Sequence, residues 1–123
     1  MKYLFLIPFI LLFSLYEKDK NSIVGTYKST KESFCNPKMT INIKKSSKQN
    51  IYYFAIYKNN KKIDNGKLSI HKNDDNQQIF GMKKIAGVHI NDSIIFQNSG
   101  NAMNQYLNFS NCGGKYLFFV KEK

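Results

Sequence analysis

Apolar and polar residues alternate along most of the chain after its first 21 residues, and this period of two is the strongest constraint on the fold. The segment 39–44 reads MTINIK, with apolar side chains at every second position, and 67–71 and 87–91 repeat the pattern. No window of this part shows the 3.6-residue period of an amphipathic helix. Because successive side chains of a strand point to opposite faces, the alternation predicts an all-β fold built from half-buried strands.

The turn signals divide this part of the chain into eight predicted strands. Clusters of Asn, Asp, Gly and Ser separate the apolar runs at intervals typical of antiparallel strands. The predicted strands cover 22–30, 38–46, 50–58, 62–72, 78–90, 92–97, 102–110 and 115–121. The stretch 78–90 is open to two interpretations: one bent strand with a bulge near Lys83-Lys84, or two short strands.

Closure of these strands removes exposed strand edges, which favours a barrel in a protein of this size. We therefore expect an antiparallel up-and-down meander of about eight strands that closes into a small β-barrel. A two-sheet sandwich is the alternative fold.

The first 16 residues have the pattern of a secretory signal peptide. Lys2 precedes an uncharged, apolar run over 3–16, and a polar segment follows at 17–20. The apolar run is shorter than the ~20 residues that span a membrane. We expect cleavage within 14–21, a single β-barrel domain over 17–123, and export to the periplasm or the extracellular space. No cysteine follows the apolar run directly, so we do not expect a lipid anchor.

Two cysteines, Cys35 and Cys112, test the predicted topology. In an exported chain a disulfide is the leading interpretation, with two free thiols as the alternative. Cys35 lies between predicted strands one and two, and Cys112 lies between strands seven and eight. Both connections belong to the same end of a meander, and closure makes strands one and eight neighbours. Two full strands within 78–90 would instead move the cysteines to opposite ends.

Basic residues dominate the charge of the chain, which has 19 lysines, no arginine, 8 acids and a net charge of +11. Lysine provides a point charge without the bidentate fork of arginine. We therefore expect no nucleic-acid binding, and at most loose contact of lysine clusters with anionic surfaces. The alternative is that these lysines keep strand edges solvated. The clusters are Lys44-Lys45 with Lys48, Lys58 with Lys61-Lys62, and Lys83-Lys84.

Catalytic and metal-binding patterns are not evident in the sequence, and we expect a non-enzymatic protein without cofactor or metal. His71, with Asp74 and Asp75 nearby, matches no ligand spacing of a metal site. His89 flanks apolar residues beside an Asn-Asp turn, and we expect its side chain to face outward. The remaining acids are scattered over turns, so no carboxylate pair is predicted.

Two groups of residues are candidates for binding. The segment 97–106 is uncharged and rich in amides, which make adaptable hydrogen bonds, although an ordinary hairpin is the alternative interpretation. Its candidate residues are Asn98, Ser99, Asn101, Asn104, Gln105 and Tyr106. Aromatic residues of the strands are candidates for lining a cavity, with a plain core as the alternative. These residues are Tyr27, Tyr53, Phe54 and Tyr57.

Gly25-Thr26-Tyr27, at the start of the first predicted strand, resembles the G-x-W motif that opens the first strand of lipocalins and other calycins. Tyr27 stands in the position of the tryptophan. The chain as a whole resembles small exported lipocalin-like proteins of unknown function, but it lacks the tryptophan and a helix after strand eight. The resemblance implies a barrel whose interior binds small apolar molecules.

The function expected from these observations is non-enzymatic binding outside the cytoplasm. The barrel interior or rim would bind a small apolar ligand or an envelope component. The alternative is a protein–protein module, such as an enzyme inhibitor or an immunity-type protein, that acts through 97–106.

Overall fold

A computed structural model describes residues 22–98 and 109–123 of the chain, and in it eight antiparallel strands form a closed barrel. Each strand pairs with the next one along the chain, and the last pairs with the first. A 3₁₀ turn at Lys31–Ser33 follows the first strand. The strands are β1 (Gly25–Ser29), β2 (Met39–Lys45), β3 (Tyr52–Lys58), β4 (Lys61–Lys72), β5 (Gln78–Met82), β6 (Ile85–Ile90), β7 (Ser93–Gln97) and β8 (Tyr116–Lys121). The predicted all-β meander barrel is confirmed.

Two of the predicted strand ranges differ from the strands in the structure. Residues 78–90 form two strands, joined by a two-residue turn at Lys83-Lys84 in which Lys83 has a φ of 57°. Positive φ is what a tight hairpin turn demands, but no Asn-Gly or Asp-Gly marks this one in the sequence. Of the predicted strand 102–110, residues 102–108 lie outside the described residues, and 109–110 form a turn. Strand β7 pairs directly with β8.

The meander places the loops at two distinct ends of the barrel. One end carries the loops β1–β2, β3–β4, β5–β6 and β7–β8. We call it the disulfide end, because Cys35 and Cys112 are joined there. Loops β2–β3, β4–β5 and β6–β7 lie at the opposite end, where β1 begins and β8 finishes. The stretch 78–90 contributes two strands where one was predicted, and β7 pairs directly with β8. Cys112 therefore still lies in the connection between the seventh and the eighth strand, at the same end as Cys35.

Large apolar side chains fill the interior of the barrel. Strand alternation directs every second residue inward, and each buried side chain of this size stabilises the fold by roughly 1.5–3 kcal/mol. Near the disulfide end, the rings of Phe96, Phe109 and Phe119 pack with centroids 5.4 to 5.9 Å apart. The largest fully buried apolar side chains are Tyr27, Phe54, Phe80, Phe119, Met39, Ile41, Ile43, Ile56, Met82, Ile94 and Leu117.

Tyr27 ties the incoming chain to the opposite end of the barrel. Its side chain is fully buried, and its hydroxyl donates a 2.7 Å hydrogen bond to the carbonyl oxygen of Ile23, which packs on the core. Burial raises the pKa of Tyr27 to about 12. Gly25 has a φ of 153°, and a Cβ there would lie 2.7 Å from Cε of Lys121. Glycine therefore lets this close crossing form.

His89 faces the barrel interior, so the expectation of an outward side chain was wrong. Its ring stacks on that of buried Phe80 at 4.5 Å, and its Nδ1 lies 2.8 Å from Oε1 of Gln78. The Nε2 atom is buried and has no hydrogen-bond partner among the described residues. Burial lowers the pKa of His89. The alternation of β6 puts His89 on the same face as buried Ile85, and this outweighs its proximity to a polar turn.

Candidate functional site

A disulfide between Cys35 and Cys112 joins the β1–β2 loop to the β7–β8 connection, as the topology predicted. The two cysteines are 77 positions apart in the chain. They meet because closure makes β1 and β8 neighbours. The described residues contain no free cysteine.

Main-chain hydrogen bonds beside the disulfide hold the two loops together. The Gly113 N–H donates to the carbonyl of Phe34 at 2.9 Å, and the Gly114 N–H donates to that of Ser33 at 3.0 Å. A Cβ on Gly114 would lie 2.8 Å from the backbone oxygen of Glu32, which requires glycine at this position. The two loops therefore form one rigid platform, and we call it the disulfide platform.

Phe34 projects from this platform into solvent. It is 71% exposed, the highest value among the exposed large hydrophobic residues of the described chain. Its backbone is left-handed, with φ 51° and ψ 47°, a region that bulky residues rarely occupy. Its N–H donates to the carbonyl of Lys31 at 3.0 Å, so both of its main-chain groups are held. Strain of this kind is concentrated at functional sites. A single phenylalanine in a loop has no periodic signal, and sequence reasoning missed it.

Lysines outnumber acids at the disulfide end of the barrel, and most of the described acids lie at the opposite end. Within the described residues, the acids of this end are Glu32 and Asp64, and Asp64 is 2.9 Å from Nζ of Lys83. Hydrogen bonds from its own backbone and from Thr30 lower the pKa of Glu32. The other described acids, Asp74, Asp75, Asp92 and Glu122, lie at the opposite end. The lysines in or beside the loops of the disulfide end are Lys31, Lys38, Lys58, Lys61, Lys83, Lys84 and Lys115.

The predicted lysine clusters are divided between the two ends. Lys58 with Lys61-Lys62 and Lys83-Lys84 are at the disulfide end, whereas Lys44-Lys45 with Lys48 are at the opposite end. The fold therefore brings together two clusters that are far apart in the sequence. The disulfide end carries a strong excess of positive charge as a result.

Of the candidate binding residues in the amide-rich segment, the structure describes Asn98, and it serves as an anchor. Its side-chain nitrogen donates to the carbonyl oxygens of Cys112 at 2.8 Å and Gly114 at 3.0 Å. Its own N–H donates to the carbonyl of Lys115 at 2.8 Å. These bonds fix the start of the segment to the disulfide platform. The other candidates, Ser99, Asn101, Asn104, Gln105 and Tyr106, lie outside the described residues.

The four cavity candidates do not share one space. Tyr27 and Phe54 are buried in the core, whereas Tyr53 is 46% exposed. Tyr53 and Tyr57, together with part of Phe54, line a groove of about 160 Å³ on the outer face of β2, β3 and β4, and Tyr27 does not reach it. Tyr53 and Phe54 are consecutive in β3, so the pleat sends their side chains to opposite faces. A shallower groove of about 530 Å³ lies at the opposite end, beside Gln78 and His89.

Within residues 22–98 and 109–123, no three His, Cys, Asp or Glu side chains group closely enough to hold a metal ion. The same residues include no helix with the length and apolar character needed to cross a membrane.

No protein-family model, curated protein or solved structure matches this chain. The eight-stranded antiparallel meander is nonetheless the architecture that lipocalin-like barrels have. Because one fold can host many functions, the function of this barrel depends on the chemistry of its surface and its interior.

Proposed function

We propose that this protein is an exported, non-enzymatic binding protein, and that it recognises an anionic component of the cell envelope through its disulfide end. The observation that carries the proposal is Phe34. An apolar ring stands exposed in a left-handed backbone conformation, fixed beside a disulfide, at the end of the barrel whose loops carry most of the excess lysines. Phenylalanine costs more than glycine or asparagine in this conformation, and its exposed ring adds little burial in return.

Export is supported by two independent features of the chain. The first 16 residues have the composition of a secretory leader, and the barrel carries a disulfide, which persists in oxidising compartments. Non-enzymatic binding is the interpretation we favour because no constellation of candidate catalytic groups came from the sequence.

Binding at the end of the barrel is favoured over binding in the interior. A lipocalin-like function, with a small apolar ligand inside the barrel, is supported by the architecture and by the Gly25-Thr26-Tyr27 resemblance. However, the inward side chains of the described strands are large and fully buried, Phe80 and Phe119 among them. A ligand would have to displace side chains that pack at the density of a protein core.

A protein–protein module acting through 97–106 is the second candidate function. Asn98 supports it, because three hydrogen bonds fix the start of this segment to the disulfide platform. The two candidates thus share one end of the barrel and differ in the chemistry of the partner.

Cosedimentation of the mature, oxidised protein with washed cell-envelope fragments tests the proposed function. We expect binding that weakens with salt and that falls roughly tenfold or more in Phe34→Asn, with a similar loss in the Lys84→Glu/Lys115→Glu pair. The matched controls are Ile90→Asn and the Lys48→Glu/Lys72→Glu pair, which change an exposed apolar residue and two lysines at the opposite end, and they should bind normally.

Two further results of the same experiment would decide against the proposal. Binding that is lost when the fragments are treated with protease would point to the protein–protein alternative. Binding that depends on the opposite-end controls instead of Phe34 would place recognition elsewhere. Native mass spectrometry of the purified protein tests the interior-ligand version, which requires a small-molecule adduct.

A further inference from the structure

We propose that the anionic component is an anionic phospholipid bilayer, onto which the disulfide end docks with Phe34 inserted at the lipid–water interface. This inference rests on the proposed function for the choice of surface, and it adds the chemical class of the partner. The apolar residues, the charges and the shape of this end all support it.

Aromatic residues occupy the tip of the disulfide end. Phe34 is 71% exposed, and Tyr116, the first residue of β8, is 44% exposed. Gly113 and Gly114 bond to the loop of Phe34 and precede Tyr116 closely, so both aromatic residues belong to the same part of the rim. Aromatic side chains are favoured at the membrane interface. Burying a phenylalanine ring strengthens binding roughly 10- to 100-fold.

Lysines around the rim supply attraction without specific geometry. Lys31, Lys84 and Lys115 stand in loops of this end, and each basic residue near an anionic membrane strengthens binding about fivefold. The compact charge of lysine suits a diffuse layer of lipid phosphates, where the bidentate fork of arginine is not needed. Phe34 and the lysines therefore act at the same surface by two different forces.

The form of the surface favours a bilayer over a protein partner. A stable protein interface buries about 800 Å² on each side around an apolar core. In the described part of the disulfide end, the exposed large hydrophobic residues are Phe34 and Tyr116, which cannot form such a core alone. A bilayer requires no complementary shape. The disulfide and the bonds of Gly113 and Gly114 hold the tip in place, so little ordering is needed on docking.

Tryptophan fluorescence gives a direct test, because the chain contains no tryptophan of its own. Phe34→Trp is titrated with vesicles of phosphatidylcholine alone and of phosphatidylcholine mixed with phosphatidylglycerol. We expect a blue shift with the anionic vesicles, quenching by lipids that carry a bromine on the upper acyl chain, and reversal at high salt. Ile90→Trp, exposed at the opposite end, is the matched control and should show no shift.

Sedimentation with vesicles measures how much each residue contributes to membrane partitioning, with variants made in the natural chain. Phe34→Asn should lower partitioning into anionic vesicles about tenfold or more, and the Lys84→Glu/Lys115→Glu pair about as much or more. Ile90→Asn and the Lys48→Glu/Lys72→Glu pair should have little effect. Circular dichroism of each variant confirms that the barrel is folded before its binding is compared.

The outcomes separate the two proposals. Binding to envelope fragments through Phe34, but not to anionic vesicles, overturns the bilayer proposal and leaves the proposed function standing. A blue shift in Ile90→Trp instead of Phe34→Trp also overturns it, because the wrong end would face the lipid. Absence of binding to both fragments and vesicles overturns both proposals.

Discussion

The hydroxyl of Ser33 bonds to both main-chain groups of Phe118, a residue 85 positions away. Its Oγ accepts a 2.8 Å hydrogen bond from the Phe118 N–H and donates a 3.2 Å bond to the Phe118 carbonyl oxygen. The last residue of β1, Ser29, pairs with Phe119, so Ser33 continues the ladder beyond the end of the strand. One fully buried side chain thereby attaches the loop of Phe34 to the wall of the barrel.

Ser33→Ala should therefore lower the free energy of unfolding by about 1–3 kcal/mol, because it leaves the N–H of Phe118 without this acceptor. Urea denaturation followed by circular dichroism measures the change. Ser47→Ala, which removes an exposed hydroxyl from the β2–β3 loop, should stay within about 0.5 kcal/mol of the natural chain. Equal effects of the two substitutions would contradict the role assigned to Ser33.

Removing the disulfide should destabilise the barrel by about 4.5 kcal/mol, the chain-entropy value for a loop of 77 residues. This is a large part of the stability of a small domain. The Cys35→Ala/Cys112→Ala double variant is unfolded in urea with and without reductant. Reductant should bring the natural chain close to the double variant and leave the variant unchanged. If complete reduction leaves the urea midpoint of the natural chain unchanged, this prediction is wrong.

His89 should make the stability of the barrel depend on pH. Burial lowers its pKa in the folded state, so the unfolded chain binds a proton more readily as the pH falls below the ordinary histidine value of about 6.5. The free energy of unfolding should therefore decrease on acidification from neutral pH, as the unfolded state takes up the proton. His89→Gln should flatten this dependence, while His71→Gln, at an exposed position of β4, should keep it. The same slope in both variants would rule His89 out as its source.

Phe34→Asn should raise the stability of the fold by about 0.5–1 kcal/mol. Asparagine tolerates the left-handed conformation that phenylalanine occupies at a cost, and the exposed ring contributes little burial. Phe34→Ala is the matched control, because it removes the ring but keeps a Cβ in the same conformation. We expect its unfolding midpoint in urea to stay near that of the natural chain. A loss of stability in Phe34→Asn would show that the ring supports the fold.

Most of the architecture could be predicted from the sequence because it depends on local patterns. The alternation in segments such as 39–44 determines which side chains share a face, and turn residues such as Asn59 and Asn91, both at positive φ, determine where strands reverse. Short connections then dictate an antiparallel meander, and closure brings Cys35 to Cys112.

The features that tertiary structure decided are those that depend on contacts between distant parts of the chain. The alternation along β6 predicts that His89 and Ile85 lie on the same face of the strand, but only the closed barrel makes that face the interior. Likewise, Phe34 is left-handed at the end of the local 3₁₀ turn, but the bond that its carbonyl accepts from Gly113 across the rim forms only in the closed barrel. The sequence by itself determined the alternation, the antiparallel meander and the disulfide, whereas the division of 78–90 into β5 and β6 was decided by the tertiary structure. The meander alone puts Phe34 and the lysines of the first three odd-to-even loops at one end, but Lys115 and Tyr116 became neighbours of the Phe34 loop only when β8 paired with β1, because these residues are remote in the chain.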